Sequence, residues 1–286
     1  MTQAWELAHA AARDAGVSLR PLSTVEDADA LNRVIATTWG GQHLDREVVR
    51  ALAVSGNTSW GAVAGDELVG FVLGWAGVDE DGLHVHSHML ASVPDRRHRG
   101  VGYALKLAQR AQALDQGIEV VRWTFDPLVA RNAWFNLGKL GAVIDRFARS
   151  FYGEMEDDIN RGERSDRCFV RWDLRPAPGP WSVLVPEGLV PVLGVRDEQG
   201  RPTSAPPVPP VGDVAIVEVP AEYHDLRSTD PGLARRWRDA TANAIEACLA
   251  AGMVGAAFQR ERSAYLFSRA PLRRAQAHAQ PMEQRR

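Results

Sequence analysis

The chain has almost no cysteine: Cys168 and Cys248 are the two among 286 residues, far too few for a disulfide framework. It also lacks a strong charge of either sign, since 33 Lys and Arg against 36 Asp and Glu leave a formal net charge of -3. A global basic footprint of the kind that binds nucleic acid is excluded, so any positive patch is a local device. Nor is there an apolar run approaching the roughly 20 residues of a membrane span. The opening MTQAWELAHA has neither a basic n-region nor an apolar h-region, and a cytoplasmic protein is expected. What is present is apolar content, 45% of residues, enough for one full core and a smaller unit besides.

Periodicity gives the order of elements. Trp5 to Ala15 reads as a helix closed by Gly16, Val17 to Leu22 as a strand, and Thr24 as the cap of a helix that places Ala28, Leu31, Ile35 and Trp39 near one face. A short helix follows from Asp45 to about Val54. The period then changes to two: Ser59 to Ala64, a Gly65-Asp66 turn, Glu67 to Ala76, and, after Asp79 to Gly82, Leu83 to about Val93 make three consecutive antiparallel strands. Beyond residue 100 come a helix to about Asp115, a strand Ile118 to Phe125, a helix from about Val129 to Leu140, and strands near Ala142–Phe151 and Cys168–Leu174. This is an α/β order with a mixed sheet.

Ten of the 17 prolines lie between Pro176 and Pro210, so that stretch cannot donate a regular ladder and reads as an extended connector. After it, Val214–Val219, Pro231–Ala251, Met253–Phe258 and Ala264–Phe267 form a small β-α-β-β unit. At about 55 residues it lies near the lower edge of independent stability and is expected to dock, as a dimer contact or a lid. The implied division is 1–175, a 176–212 connector, a 213–270 small α/β domain and a 271–286 polar tail.

One stretch, RRHRGVGYALK from Arg96 to Lys106, packs cations and glycines between a predicted strand and a predicted helix start. Unsatisfied N–H groups and the positive end of the helix favour an anion there, and glycines let the backbone close around it. Arg96, Arg97 and Arg99 before the helix, with Lys106 and Arg110 on it, suit a multiply phosphorylated group such as a pyrophosphate. A dinucleotide fingerprint would need glycine where Leu105 stands, and a Walker loop would need Gly-Lys-Ser/Thr. The alternative is an ordinary surface turn.

Arg97-x-x-Gly100-x-Gly102 resembles the acyl-CoA motif Q/R-x-x-G-x-G/A of the GNAT acyltransferase superfamily, with Val93-Pro94 before it and Tyr103-Ala104-Leu105 after it. RNAWFNLGKLGA, Arg131 to Ala142, resembles that family's later helix, and HSHML, WTFDPL and SDR are similar to a bacterial group described as acetyltransferases, some with a C-terminal extension. The resemblance covers about residues 17–175. It implies the GNAT fold, a mixed and mainly antiparallel central sheet flanked by helices. It also implies acyl-CoA as co-substrate, no metal, and a CoA site of Leu90, Ala91, Ser92, Val93, Arg97, His98, Arg99, Gly100, Val101, Gly102, Tyr103, Ala104 and Asn132. Three positions depart from the pattern: Leu137 stands where many members carry a proton-donating Tyr, His98 where Gly is common, and Ala130 where Asn is frequent.

In LHVHSHML, His84, His86 and His88 alternate and share one face of a regular strand. They suit a metal, hydrogen-bonded packing, or acid-base work; in the resembled fold this strand splays around the thioester, which makes His86 and His88 the base candidates. Asp126, in Thr124-Phe125-Asp126-Pro127, either holds a substrate ammonium or serves the turn. Tyr152 replaces the missing acid or is core material. Ser165-Asp166-Arg167 is a salt-bridged loop or, through Arg167, a carboxylate reader. The tryptophans 39, 60, 75, 123, 134 and 172 are core or pocket walls. The expected function is acetyl transfer by default from CoA to the amine of a small molecule, directly in a ternary complex. N-succinylation of amino acids is the alternative within the enzyme class, and a non-catalytic acyl-CoA module the alternative outside it.

Overall fold

In a computed structural model of the chain, the described residues are 2–40, 43–94, 100–153, 163–179, 181, 185, 187–194 and 208–269. Arg96, Arg97, His98, Arg99 and the 271–286 tail lie outside them. The chain divides into two compact units, Met1–Asp126 with Arg146–Ala177, and Pro127–Asp145 with Pro178–Arg286. This differs from the expected linear division, because a segment from the middle of the chain packs with the C-terminal strands.

The first unit carries helices α1 (Gln3–Asp14), α2 (Val25–Trp39), α3 (Arg46–Val54) and α4 (Val101–Asp115). Its strands are β1 (Ser18–Pro21), β2 (Ser59–Ala64), β3 (Glu67–Asp79), β4 (Gly82–Ser92), β5 (Val120–Phe125) and β7 (Arg167–Asp173), with β6 (Val143–Ala148) where the chain passes between units. Thr24 caps α2 as its sequence suggests: Thr24 Oγ1 accepts from Asp27 N at 3.1 Å, and Asp27 Oδ2 accepts from Thr24 N at 3.0 Å. The sheet order is β1-β2-β3-β4-β5-β7, antiparallel throughout except between β4 and β5.

Alternation along the strands builds one core on each face. Ala62, Val69 and Val72 pack with Ala12 and Ala15 of α1's end and Val101, Ala104 and Leu105 of α4. Phe71, Leu73 and Ala91 pack with Leu31, Val34 and Ile35 of α2 and Val49 of α3. Apolar burial on both faces is the main stabilising term of this unit, at roughly 25 cal/mol per Å².

In the second unit, the helix expected from Val129 to Leu140 is only one α turn, α5 (Ala130–Ala133), continued as a π-helical turn Trp134–Leu140 and stopped by Gly141 at φ 75°. The Trp134 ring occupies the space a side chain at Gly138 would need. Strands β8 (Val214–Glu218), β9 (Val254–Gln259) and β10 (Ala264–Ser268) and the helix α7 (Pro231–Ala250) match the expected β-α-β-β order, with an unexpected α6 (Tyr223–Thr229). β10 lies between β9 and β8.

Three contacts tie the middle segment to the C-terminal one. Tyr265 Oη donates to Pro127 O at 2.6 Å, Trp181 Nε1 donates to Gly141 O at 2.7 Å, and β6 pairs with β9 at Ile144 and Gly255. A Cβ on Gly255 would stand 2.9 Å from Ile144 Cδ1, so only glycine permits that approach. Truncation after Ala177 removes all three and is expected to lower the melting temperature and promote aggregation. Tyr265→Phe in the full chain is expected to cost about 1–2 kcal/mol by leaving a carbonyl without its donor. Denaturant unfolding checks both, and an unchanged midpoint for either contradicts the account.

Candidate active site at the parting of two strands

The parallel register of β4 with β5 covers two pairs, Val85 with Val121 and His86 with Arg122. Beyond them β4 continues on β3, and β5 continues on β7 through Trp123, Thr124 and Phe125. The two strands therefore part after His86 and Arg122. Val93 N donates to Val69 O, so the alternation of an antiparallel ladder turns the N–H groups of Leu90 and Ser92 the other way, toward the side β5 has left.

A bulge sits at the same place. Leu73 opposes Met89 and Gly74 opposes Ser87, leaving His88 as the extra residue of β4. Met89 packs on the α2 and α3 core, and His88 stacks on Trp75 of the same face, with ring centroids 4.7 Å apart. His86 also stacks on Trp75, at 5.2 Å. The expected sharing of a face by His86 and His88 is present, although the strand is not regular.

His84 is engaged elsewhere. It lies with Arg122 and Arg146 around Asp79 at the closed end of the strands, its Nδ1 3.7 Å from Asp79 Oδ1. Among the described residues no group of three or more His, Cys, Asp or Glu is arranged to hold a metal.

Across the opening, Thr124 Oγ1 and Tyr152 Oη are hydrogen-bonded at 3.1 Å. The Arg167 guanidinium lies over the Tyr152 ring at 5.4 Å, and Arg167 Nη1 is 3.8 Å from Asp126 Oδ2. Asp126, Tyr152 and Arg167 are thus brought together at the end of β5. Tyr152 is 44% exposed, so it is not core material. Ser165 and Asp166 organise the loop instead: Ser165 Oγ donates to Gly153 O and Asp166 pairs with Arg164. Thr124 adjoins this group through its bond to Tyr152, without any signal in the sequence beyond its strand position.

At the start of α4, Gly100 is the N-cap with φ 90°, a left-handed conformation that favours glycine, and among the described residues no side chain caps the helix. The N–H groups of Val101, Gly102 and Tyr103 precede the first intrahelical bond, Ala104 N to Gly100 O. They are the donors an anion would take. Two of the expected cations do not join them. Lys106 is buried, its Nζ donating to Ser87 Oγ at 2.7 Å, and Arg110 is buried with its Nε donating to Leu174 O at 2.9 Å. Lys106 and Arg110, four residues apart on α4, share a face of the helix, and that face is the packed one. Asn132 lies exposed on α5 in the second unit, and Leu137 is buried there.

Neither cysteine can serve as a nucleophile. Burial pushes the Cys168 thiol well above its usual range, helped by Asp126 and Asp166, and pushes Cys248 up to about 12.

Residues 28–138 match the model of the acetyltransferase (GNAT) family. The helix-flanked, mainly antiparallel sheet is the fold of that family. No curated protein matches the chain in sequence. Similar solved structures include Arabidopsis thaliana Naa50 in complex with the bisubstrate analogue CoA-Ac-MVNAL, at 18% identity and TM-score 0.45 over 55% of this chain and 97% of that one. Another is the ribosomal-protein-S18-alanine N-acetyltransferase from Escherichia coli, at 15% identity and TM-score 0.44 over 61% and 99%. A third is an aminoglycoside acetyltransferase from an uncultured soil metagenomic sample, at 17% identity and TM-score 0.35 over 40% and 80%. Among the described residues no helix is long and apolar enough to cross a membrane.

Burial, then His88, His84 and Lys106, pushes His86 down from 6.5 to about 4, and burial lowers His88 as well. Both shifts favour the uncharged ring. Between those two values the unfolded chain binds a proton at residue 86 that the folded protein does not. Stability is therefore present above the upper value and is lost as pH falls toward the lower one. Melting temperatures measured across this window are expected to fall with pH in the parent and to fall less in His86→Gln; equal slopes contradict the assignment.

Proposed function

We propose that the protein is an acyl-CoA-dependent N-acyltransferase, acetyl by default, that acts on the amine of a small molecule by direct transfer. The observation that carries this reading is the uncapped α4 N-terminus behind Gly100, set beside the parting of β4 and β5. Val101, Gly102 and Tyr103 N–H groups take the pyrophosphate, aided by the arginines of the preceding turn. Leu90 and Ser92 N–H groups face the thioester carbonyl, where preorganised donors act most strongly.

Acceptor chemistry falls to the open face. Asp126 holds the ammonium form of the acceptor, and neutral His86 or His88 takes its proton, directly or through water. The amine nitrogen then bonds to the acyl carbon as the carbon–sulfur bond breaks, and Tyr152 supplies a proton to the leaving thiolate in place of Leu137. Arg167 stands near enough to Asp126 to read a carboxylate on the acceptor or on the acyl group, which favours amino acids among amines and keeps succinyl transfer as the second reading. A non-catalytic acyl-CoA module is the outcome if turnover fails on every amine.

Calorimetric titration of CoA and a thiol-release assay over a panel of amines, with acetyl- and succinyl-CoA as donors, test the proposal. Gly102→Val should weaken CoA binding by more than about tenfold, because a β-branched side chain crowds the phosphate at an N–H that must face it. Asp126→Asn should leave CoA affinity nearly unchanged and lower turnover at least about tenfold. A folded Gly102→Val protein that binds CoA like the parent removes the basis of the reading.

A further inference from the structure

Lys106 is 2% exposed, and its amine touches the first residue of each strand beyond the last shared register. Nζ donates to Ser87 Oγ at 2.7 Å, one residue after His86 on β4, and lies 3.7 Å above the ring centroid of Trp123, one residue after Arg122 on β5. Its remaining partner is Gln109 Oε1 at 3.1 Å, one turn along α4. Gln109 is itself fully buried, and its Nε2 has no partner.

The backbone makes room for this group. Gly74 opposes Ser87 at the bulge, and a Cβ there would stand 3.0 Å from Gln109 Nε2 and 2.6 Å from His86 O. No carboxylate compensates the amine, and burial holds its pKa well below the lysine range. A methionine would fill the same space without the desolvation cost of an amine. A buried amine without a carboxylate partner among the described residues, placed where β4 and β5 part, is the pattern of a group retained for use.

Resting on the acyl-CoA reading above, we infer that Lys106 is a positioning residue for the thioester arm. By bridging Ser87 and Trp123 from beneath the sheet, it fixes the separation of β4 and β5 and so the width of the slot that receives the pantetheine chain. It acts through the strands, remote from the phosphate donors at the start of α4.

Two ligands separate the two ends of the cofactor: acetyl-CoA, and the nucleotide half of CoA without its pantetheine arm. In Lys106→Met, checked for folding by circular dichroism, acetyl-CoA affinity measured by calorimetry should fall about tenfold, while affinity for the nucleotide half stays within about twofold. The melting temperature should be unchanged or higher. Ser87→Ala, a smaller change at the same contact, should shift the ratio of the two affinities in the same direction and serves if the first variant does not fold. Equal affinity of a folded variant and the parent for acetyl-CoA overturns the inference. So does an equal loss of both ligands with a lower melting temperature, which marks a purely structural lysine. A parent that binds neither ligand overturns the acyl-CoA reading and this inference with it.

Discussion

Two strands that begin as neighbours and then separate set up the whole of the first unit's chemistry. Hydrogen bonding between β4 and β5 ends at His86 and Arg122, after which each strand is held from its other side, β4 by β3 and β5 by β7. Backbone groups that a continuous sheet would consume are thereby left facing an opening. Helix α4 begins at the same end of the sheet with its first N–H groups uncapped, so two sets of unsatisfied donors lie beside one another.

Electrostatics then divides the site by depth. Beneath the sheet, a buried amine is tolerated without a carboxylate because Ser87, Gln109 and the face of Trp123 share its donors and its field. Above it, desolvation lowers the pKa of His86 and of His88, both stacked on Trp75. At the closed end, Asp79 gathers His84, Arg122 and Arg146 and anchors the strands where they still pair. A single strand thus carries three histidines in two different surroundings, and its register decides between them.

The second unit is built from pieces distant in the chain. Pro127 and Tyr265, 138 residues apart, share a hydrogen bond, and the glycine at 255 lets β9 lie against Ile144.

Much of this was legible in order and type. Alternation in β2 to β4, the Thr24 cap and the glycine at 100 that starts α4 are local features, governed by residues within a few positions of one another, and the sequence by itself determined the class of fold through them. The C-terminal β-α-β-β order was legible for the same reason. What tertiary structure alone decided is where side chains of ambiguous chemistry point. Lys106 and Arg110 read as surface cations in a basic turn, yet the packed face of α4 takes both inside. Asp126, Tyr152 and Arg167 meet only because β7 returns beside β5. The π-helical turn at Trp134–Leu140 depends on a ring folding over Gly138. In the first two cases the deciding partner lies far away in sequence, and no local period or propensity carries its position.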